Sequence, residues 1–128
     1  MSAQSQERNP ITVSIKLGAI SADKELPLMK MLRKSILLSA SIANGAALAE
    51  SDVNYVLLSV QKGAVVHASY DSRAAGQGAM AEDAFEDMVL DLAEVPAGDL
   101  KLVADIEGSG ALDADAVLSL TFWQKESV

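Results

Sequence analysis

Ile11, Val13, Ile15 and Leu17 alternate with Thr12, Ser14 and Lys16, the period of two that buries one face of a β-strand and wets the other. The same alternation returns where Leu100, Leu102, Ala104 and Ile106 are interleaved with Lys101, Asp105 and Glu107. In the last element, Ala116 to Gln124, Leu118, Leu120 and Phe122 lie on one face and Val117, Ser119, Thr121 and Trp123 on the other. Val53 to Val60 and Ala64 to Tyr70 are rich in β-branched and aromatic residues. Gln61-Lys62-Gly63 between them predicts a hairpin whose three-residue loop uses the glycine for a positive φ.

Two stretches carry both periods. From Leu28 to Ile42, the alternation of Ile36, Leu38, Ala40 and Ile42 with Ser35, Ser39 and Ser41 predicts strands, while Leu28, Met29, Leu32 and Leu37 also suit an amphipathic helix. Phe85, Met88, Val89 and Leu92 fall at helical spacing, yet Met88, Leu90 and Leu92 alternate with Val89 and Asp91, so a short helix running into a strand satisfies both. Turns are expected at Ser21 to Glu25, Asn44-Gly45 and Pro96 to Asp99. The glycine-containing stretch Asp71 to Asp83 is expected to be a long surface loop and a candidate contact arm. The pattern as a whole predicts an all-β fold, a single-domain antiparallel β-sandwich or jelly roll of about seven or eight strands with room for one short helix. Residues 1–9 read as a flexible N-terminal arm that orders on meeting a partner, and 10–125 as the sandwich domain. The rival is a small α+β adaptor with Leu28 to Ala43 and Ala81 to Ala93 as helices.

At 128 residues the chain suits one domain with its own core. Its formal charge of −8 repels phosphate backbones and anionic headgroups, so nucleic acid and membrane surfaces are not expected partners. With no cysteine there is no disulfide, thiolate metal site or thiol nucleophile. The opening residues lack the basic-then-apolar pattern of a secretory signal, and no apolar run approaches about 18 residues, so synthesis in the cytoplasm is expected. Half of the residues are apolar, which predicts an exposed apolar patch and self-association.

Candidate chemistry is sparse. His67 is the sole histidine, with neither a second imidazole nor a cysteine to share a metal or a proton. Glu82, Asp83, Glu86 and Asp87, and the pair Asp113 and Asp115, could supply oxygens to calcium, but neither group has the glycine-centred spacing of a calcium loop. Gly76-Gln77-Gly78 and Gly108-Ser109-Gly110 lack the strand-to-helix context and following lysine of a phosphate cradle. Lys30, Arg33 and Lys34 form a small basic cluster that could pair with an acidic neighbour. No catalytic, cofactor-binding or metal-binding residue is assigned, no cofactor is implied, and the chain is not expected to be an enzyme. Tyr70 is the candidate for a sugar-stacking platform if the fold serves as a carbohydrate- or receptor-binding module.

The run Val95-Pro96-Ala97-Gly98-Asp99 into Leu100 to Ile106, then Gly108-Ser109-Gly110, Ala114-Asp115-Ala116 and Val117 to Phe122, resembles the last two strands of small jelly-roll virion proteins. Among these it is similar to the decoration, or cement, proteins of tailed bacteriophages. The resemblance implies a structural protein without an active site that binds the outside of an icosahedral capsid, often as a trimer, and bridges neighbouring capsid subunits. It also implies residence on the virion surface and an N-terminal arm that reaches to a neighbour.

Overall fold

The computed structural model describes residues 10–124, and the expectation for the arm at residues 1–9 falls outside them. The strands are β1 (Ile11–Lys16), β2 (Lys24–Met31), β3 (Ser35–Ala43), β4 (Val56–Lys62), β5 (Val65–Asp71), β6 (Glu86–Asp87), β7 (Val89–Leu90), β8 (Glu94–Val95), β9 (Gly98–Ile106) and β10 (Val117–Gln124). There is no α-helix among the described residues. The helical alternative therefore fails at both ambiguous stretches. Residues 28–43 form parts of β2 and β3 around a turn, and 81–93 hold only very short strands and irregular chain.

Every ladder is antiparallel. The first sheet has the order β1-β10-β3-β6, with β8 also on β3, and the second β2-β9-β4-β5-β7. Apart from the β4–β5 hairpin, strands that follow one another in the chain fall in opposite sheets. This is the winding of a jelly roll. Leu118, Leu120 and Phe122 of β10 stand opposite Ile42, Ala40 and Leu37 of β3, and meet Leu58, Val60 and Leu102 of the second sheet in one core. Alternation is what makes this possible, because each strand sends its apolar set to one side only.

One flank of the sandwich is closed and the other open. From Glu86 to Val95 the chain runs along the edge of β3, crosses to β5 as β7, and returns as β8. Met88 N donates to Ala40 O at 2.8 Å, Leu37 N to Ala93 O at 2.7 Å, and Asp91 N to His67 O at 2.9 Å, so this strap holds both sheets. On the other flank β1 and β2 are edge strands, and Val13, Ile15, Leu26, Leu28 and Met29 are only partly buried against the core.

Several local expectations are corrected. The hairpin turn is Gly63-Ala64, not Gln61 to Gly63, because Lys62 pairs with Val65; Gly63 alone takes a positive φ, 62°, the pattern of a type II′ turn. β2 begins at Lys24 inside the expected turn. Asp71 to Asp83 is a surface loop, as expected, and is pinned by its own hydrogen bonds. Gln77 N and Gly78 N donate to Asp71 O at 2.8 and 3.2 Å, and Met80, almost wholly buried, bonds to Leu48 in both directions. Gly76 packs so close to Asp71 that a Cβ would lie 2.5 Å from the Asp71 carbonyl oxygen. The count is ten strands, the surplus coming from the short pieces of the strap.

Candidate docking face

The register of the first sheet places its outward residues in rows. Thr12 stands opposite Thr121, and Thr121 opposite Ser39. One pleat further, Ser14 stands opposite Ser119, and Ser119 opposite Ser41. The next row is Lys16, Val117 and Ala43, and at the far end Trp123 stands opposite Ile36. The outer face of the first sheet is thus a plateau of hydroxyls bounded by small and large apolar side chains. Charges enter only at its margins, with Lys16, with Asp87 opposite Ser41, and with Glu94 opposite Ile36. Thr12 Oγ1 and Thr121 Oγ1 share a hydrogen bond at 2.9 Å. The hydroxyls of Ser14, Ser39, Ser41 and Ser119 make no side-chain hydrogen bond to other described residues, leaving donors and acceptors turned outward.

The outer face of the second sheet differs in kind. Its rows include Glu25, Val103, Ser59 and Ser69, and then Asp105, Leu57 and Asp71. Lys101 Nζ donates to Glu25 at 3.1 Å, Ser69 Oγ to Asp91 at 2.8 Å, and Gln61 Nε2 to Ser59 Oγ at 2.8 Å. Asp71 receives Arg73 Nε and Nη2 at 3.0 and 2.9 Å, and this bond to the guanidinium holds its carboxyl below the ordinary range. Apart from Asp105, the charged and hydroxyl groups of these rows are already engaged with neighbours.

The residues singled out for chemistry are not brought together. His67 is the extra residue of a bulge in β5, between the pairs Val60–Ala68 and Gln61–Val66, so it and Ala68 both turn inward instead of alternating. Its Nδ1 lies 2.8 Å from Leu92 O, which ties the strap, and its Nε2 is buried without a partner. Asp113 Oδ1 accepts from Gly45 N at 3.1 Å and Asp115 N at 2.9 Å, a turn-forming role, and Glu86 accepts from Ala81 N at 3.3 Å. No group of three or more histidines and carboxylates among the described residues is placed to hold a metal ion. Lys34 bridges to Glu94 of the strap at 3.5 Å and Lys30 stands opposite Asp99, so the basic cluster runs from the end of β2 into the turn before β3 and pairs with separate acidic partners.

Tyr70 cannot be a stacking platform. It is fully buried and its hydroxyl donates to Gly78 O at 2.6 Å. Burial first, and then the charges of Glu86 and Asp71, push its pKa up to about 12. The exposed aromatics are Phe85 on the approach to the strap, 55 % exposed, and Trp123 at the rim of the plateau, 37 % exposed. Sequence reasoning missed the plateau because serine on a strand reads as ordinary solvated surface. The signal was present in the lack of any charge among the outward residues Ser39, Ser41, Ser119 and Thr121. Compared with known protein families, characterised proteins and solved structures, the chain matches none.

Proposed function

We propose that the chain is a structural protein, without catalytic activity, that binds the outer surface of a viral capsid and stabilises the shell by burying surface between itself and the capsid subunits. The observation that carries this reading is the charge-free hydroxyl plateau. On a protein of net charge −8, the middle of the outer face of one whole sheet is kept free of charge. Depletion of charge is what distinguishes the buried centre of protein interfaces from ordinary surface. Unpaired hydroxyls add hydrogen bonds to carbonyls and amides of the surface they meet, and Trp123 and Ile36 supply an apolar margin. Jelly rolls serve both in viral shells and in sugar-binding domains. The second use is disfavoured here by the burial of Tyr70, the aromatic expected to form a platform.

The test is binding to assembled shells of a capsid protein encoded in the same genome as this chain. Full-length protein is expected to cosediment with intact shells at a fixed, saturable ratio and to raise the temperature at which they open. Shells that sediment without it at micromolar concentration, or that open at an unchanged temperature when saturated with it, overturn the reading.

A further inference from the structure

The sheet edges are protected unequally. β2, the free edge of the second sheet, carries Lys24, Glu25 and Lys30, an internal Pro27, and a bulge at Leu28 between the pairs Pro27–Lys101 and Met29–Leu100. The strap covers the opposite edges with pieces of two residues each. Charge, proline, bulges and very short edge strands are the devices that keep one sheet from pairing with another. β1 has none of them over most of its length. Ile11-Thr12-Val13-Ser14-Ile15 is uncharged, contains no proline and pairs with β10 without a register shift.

The outward-pointing backbone groups follow from one bond. Leu17 N donates to Ala116 O at 2.9 Å in the register that β1 continues, so Ile15, Val13 and Ile11 also turn their N–H and C=O groups toward β10. Alternation then points the N–H and C=O groups of Thr12, Ser14 and Lys16 away from the sheet.

We infer that β1 pairs antiparallel with β1 of a second copy of this chain, about a two-fold axis that passes between Ser14 and the partner's Ser14. In that register Ser14 exchanges both backbone hydrogen bonds with the partner's Ser14, and Thr12 does so with the partner's Lys16. The strand is self-complementary, because its one charge falls opposite a threonine and not opposite its own copy. Val13 and Ile15, half-open on the unclosed flank, come against the partner's Ile15 and the partner's Val13. The plateau becomes continuous, since the row Ser41, Ser119, Ser14 runs straight into the partner's Ser14. The pairing is isologous and closes as a dimer, a two-fold unit where the resemblance to decoration proteins implies a trimer.

The pairing is independent of any shell, so it is tested on the full chain in solution. Sedimentation is expected to show a dimer at tens of micromolar. Ser14→Lys sets two ammonium groups opposite each other on an outer face that the fold does not use, and is expected to raise the dimer dissociation constant at least about tenfold. Ser14→Cys adds the sole thiol of a cysteine-free chain at a pair whose Cα atoms lie about 5.5 Å apart, within reach of a short bis-maleimide. With that reagent it is expected to crosslink at least about tenfold faster than Ser21→Cys, whose thiol sits at an exposed position between β1 and β2, off the edge. A monomer at about 100 µM, a concentration that populates even a weak dimer, overturns the inference. So does an unchanged dissociation constant in a folded Ser14→Lys, or equal crosslinking by Ser21→Cys.

Discussion

Across the first sheet, the row Ser14, Ser119, Ser41 passes over three strands without meeting a charge; across the second, the row Glu25, Val103, Ser59, Ser69 begins at a carboxylate bridged by Lys101. Both faces are the polar side of an alternating strand and look alike by periodicity. They differ in whether their polar groups are already engaged. On the second sheet, ion pairs and side-chain hydrogen bonds are closed among neighbours, so a docking partner would have to break them. On the first, the serine hydroxyls are open and carry no desolvation penalty of the size a charge brings. Exposure alone therefore does not separate the two faces, whereas the engagement of their polar groups does.

The contrast between the inner and outer sides of one strand gives the largest expected effect. Leu120→Ala removes a fully buried side chain and is expected to cost about 3 kcal/mol, lowering the melting temperature by about 10 °C. Thr121→Ala, one residue on, gives up only the exposed hydrogen bond to Thr12 and is expected to cost under about 1 kcal/mol. Thermal melts of the two variants check this, and equal losses would show that the outer face belongs to the core. Next comes Ser119→Lys, which sets an ammonium group in the centre of the plateau. It is expected to weaken shell binding about 100-fold, or about 2.7 kcal/mol, with the melting temperature nearly unchanged. Asp105→Lys, a larger change of charge on the second sheet, is expected to shift binding less than about threefold. Cosedimentation titrations of both variants would reverse the assignment of faces if the order were opposite.

Tyr70→Phe leaves the buried Gly78 carbonyl without its donor and is expected to cost about 1–2 kcal/mol. The phenol carries its own pH signature. Its pKa rises from 10.0 in the unfolded chain to about 12 in the fold, so its contribution is complete below pH 10 and is lost as pH climbs through about 12. Alkaline unfolding followed by circular dichroism is expected to be steep in the wild type between these values and shallower in Tyr70→Phe. The smallest effect belongs to the second sheet's own network. Asp71→Asn breaks the pair with the exposed Arg73 and is expected to lower the melting temperature only slightly. Because the Asp71 carboxyl is held low, the wild-type advantage is present above the ordinary carboxylate range and fades as pH falls below it, which paired melts at neutral and strongly acid pH would detect.

Much of the sandwich was legible because alternation reports burial directly. Leu118, Leu120 and Phe122, and Leu100 to Ile106, point where their period places them. The strap was not legible. Phe85, Val89, Leu90 and Leu92 remain exposed, so their spacing encodes no buried face, and the backbone bonds to Ala40, His67 and Ala93 that shape the segment leave no trace in side-chain pattern. Bulges hid as well. The extra residue at His67 shifts the phase of β5 by one, which periodicity reads as a polar outward position although the imidazole lies inside. The plateau was visible only as a shortage of charge, and its geometry required the cross-strand register.

The jelly-roll winding gives β1 a single neighbour, β10, the last described strand to be synthesised. Throughout translation Ile11–Lys16 waits without its mate, while β4 and β5 can close their hairpin as soon as they emerge. Pairings between distant parts of a chain form slowly, and a waiting strand is open to the wrong partner meanwhile. The stretch that must wait longest is also the one with least to deter a stranger, so the order of synthesis makes the yield of this fold depend on how fast Val117–Gln124 arrives.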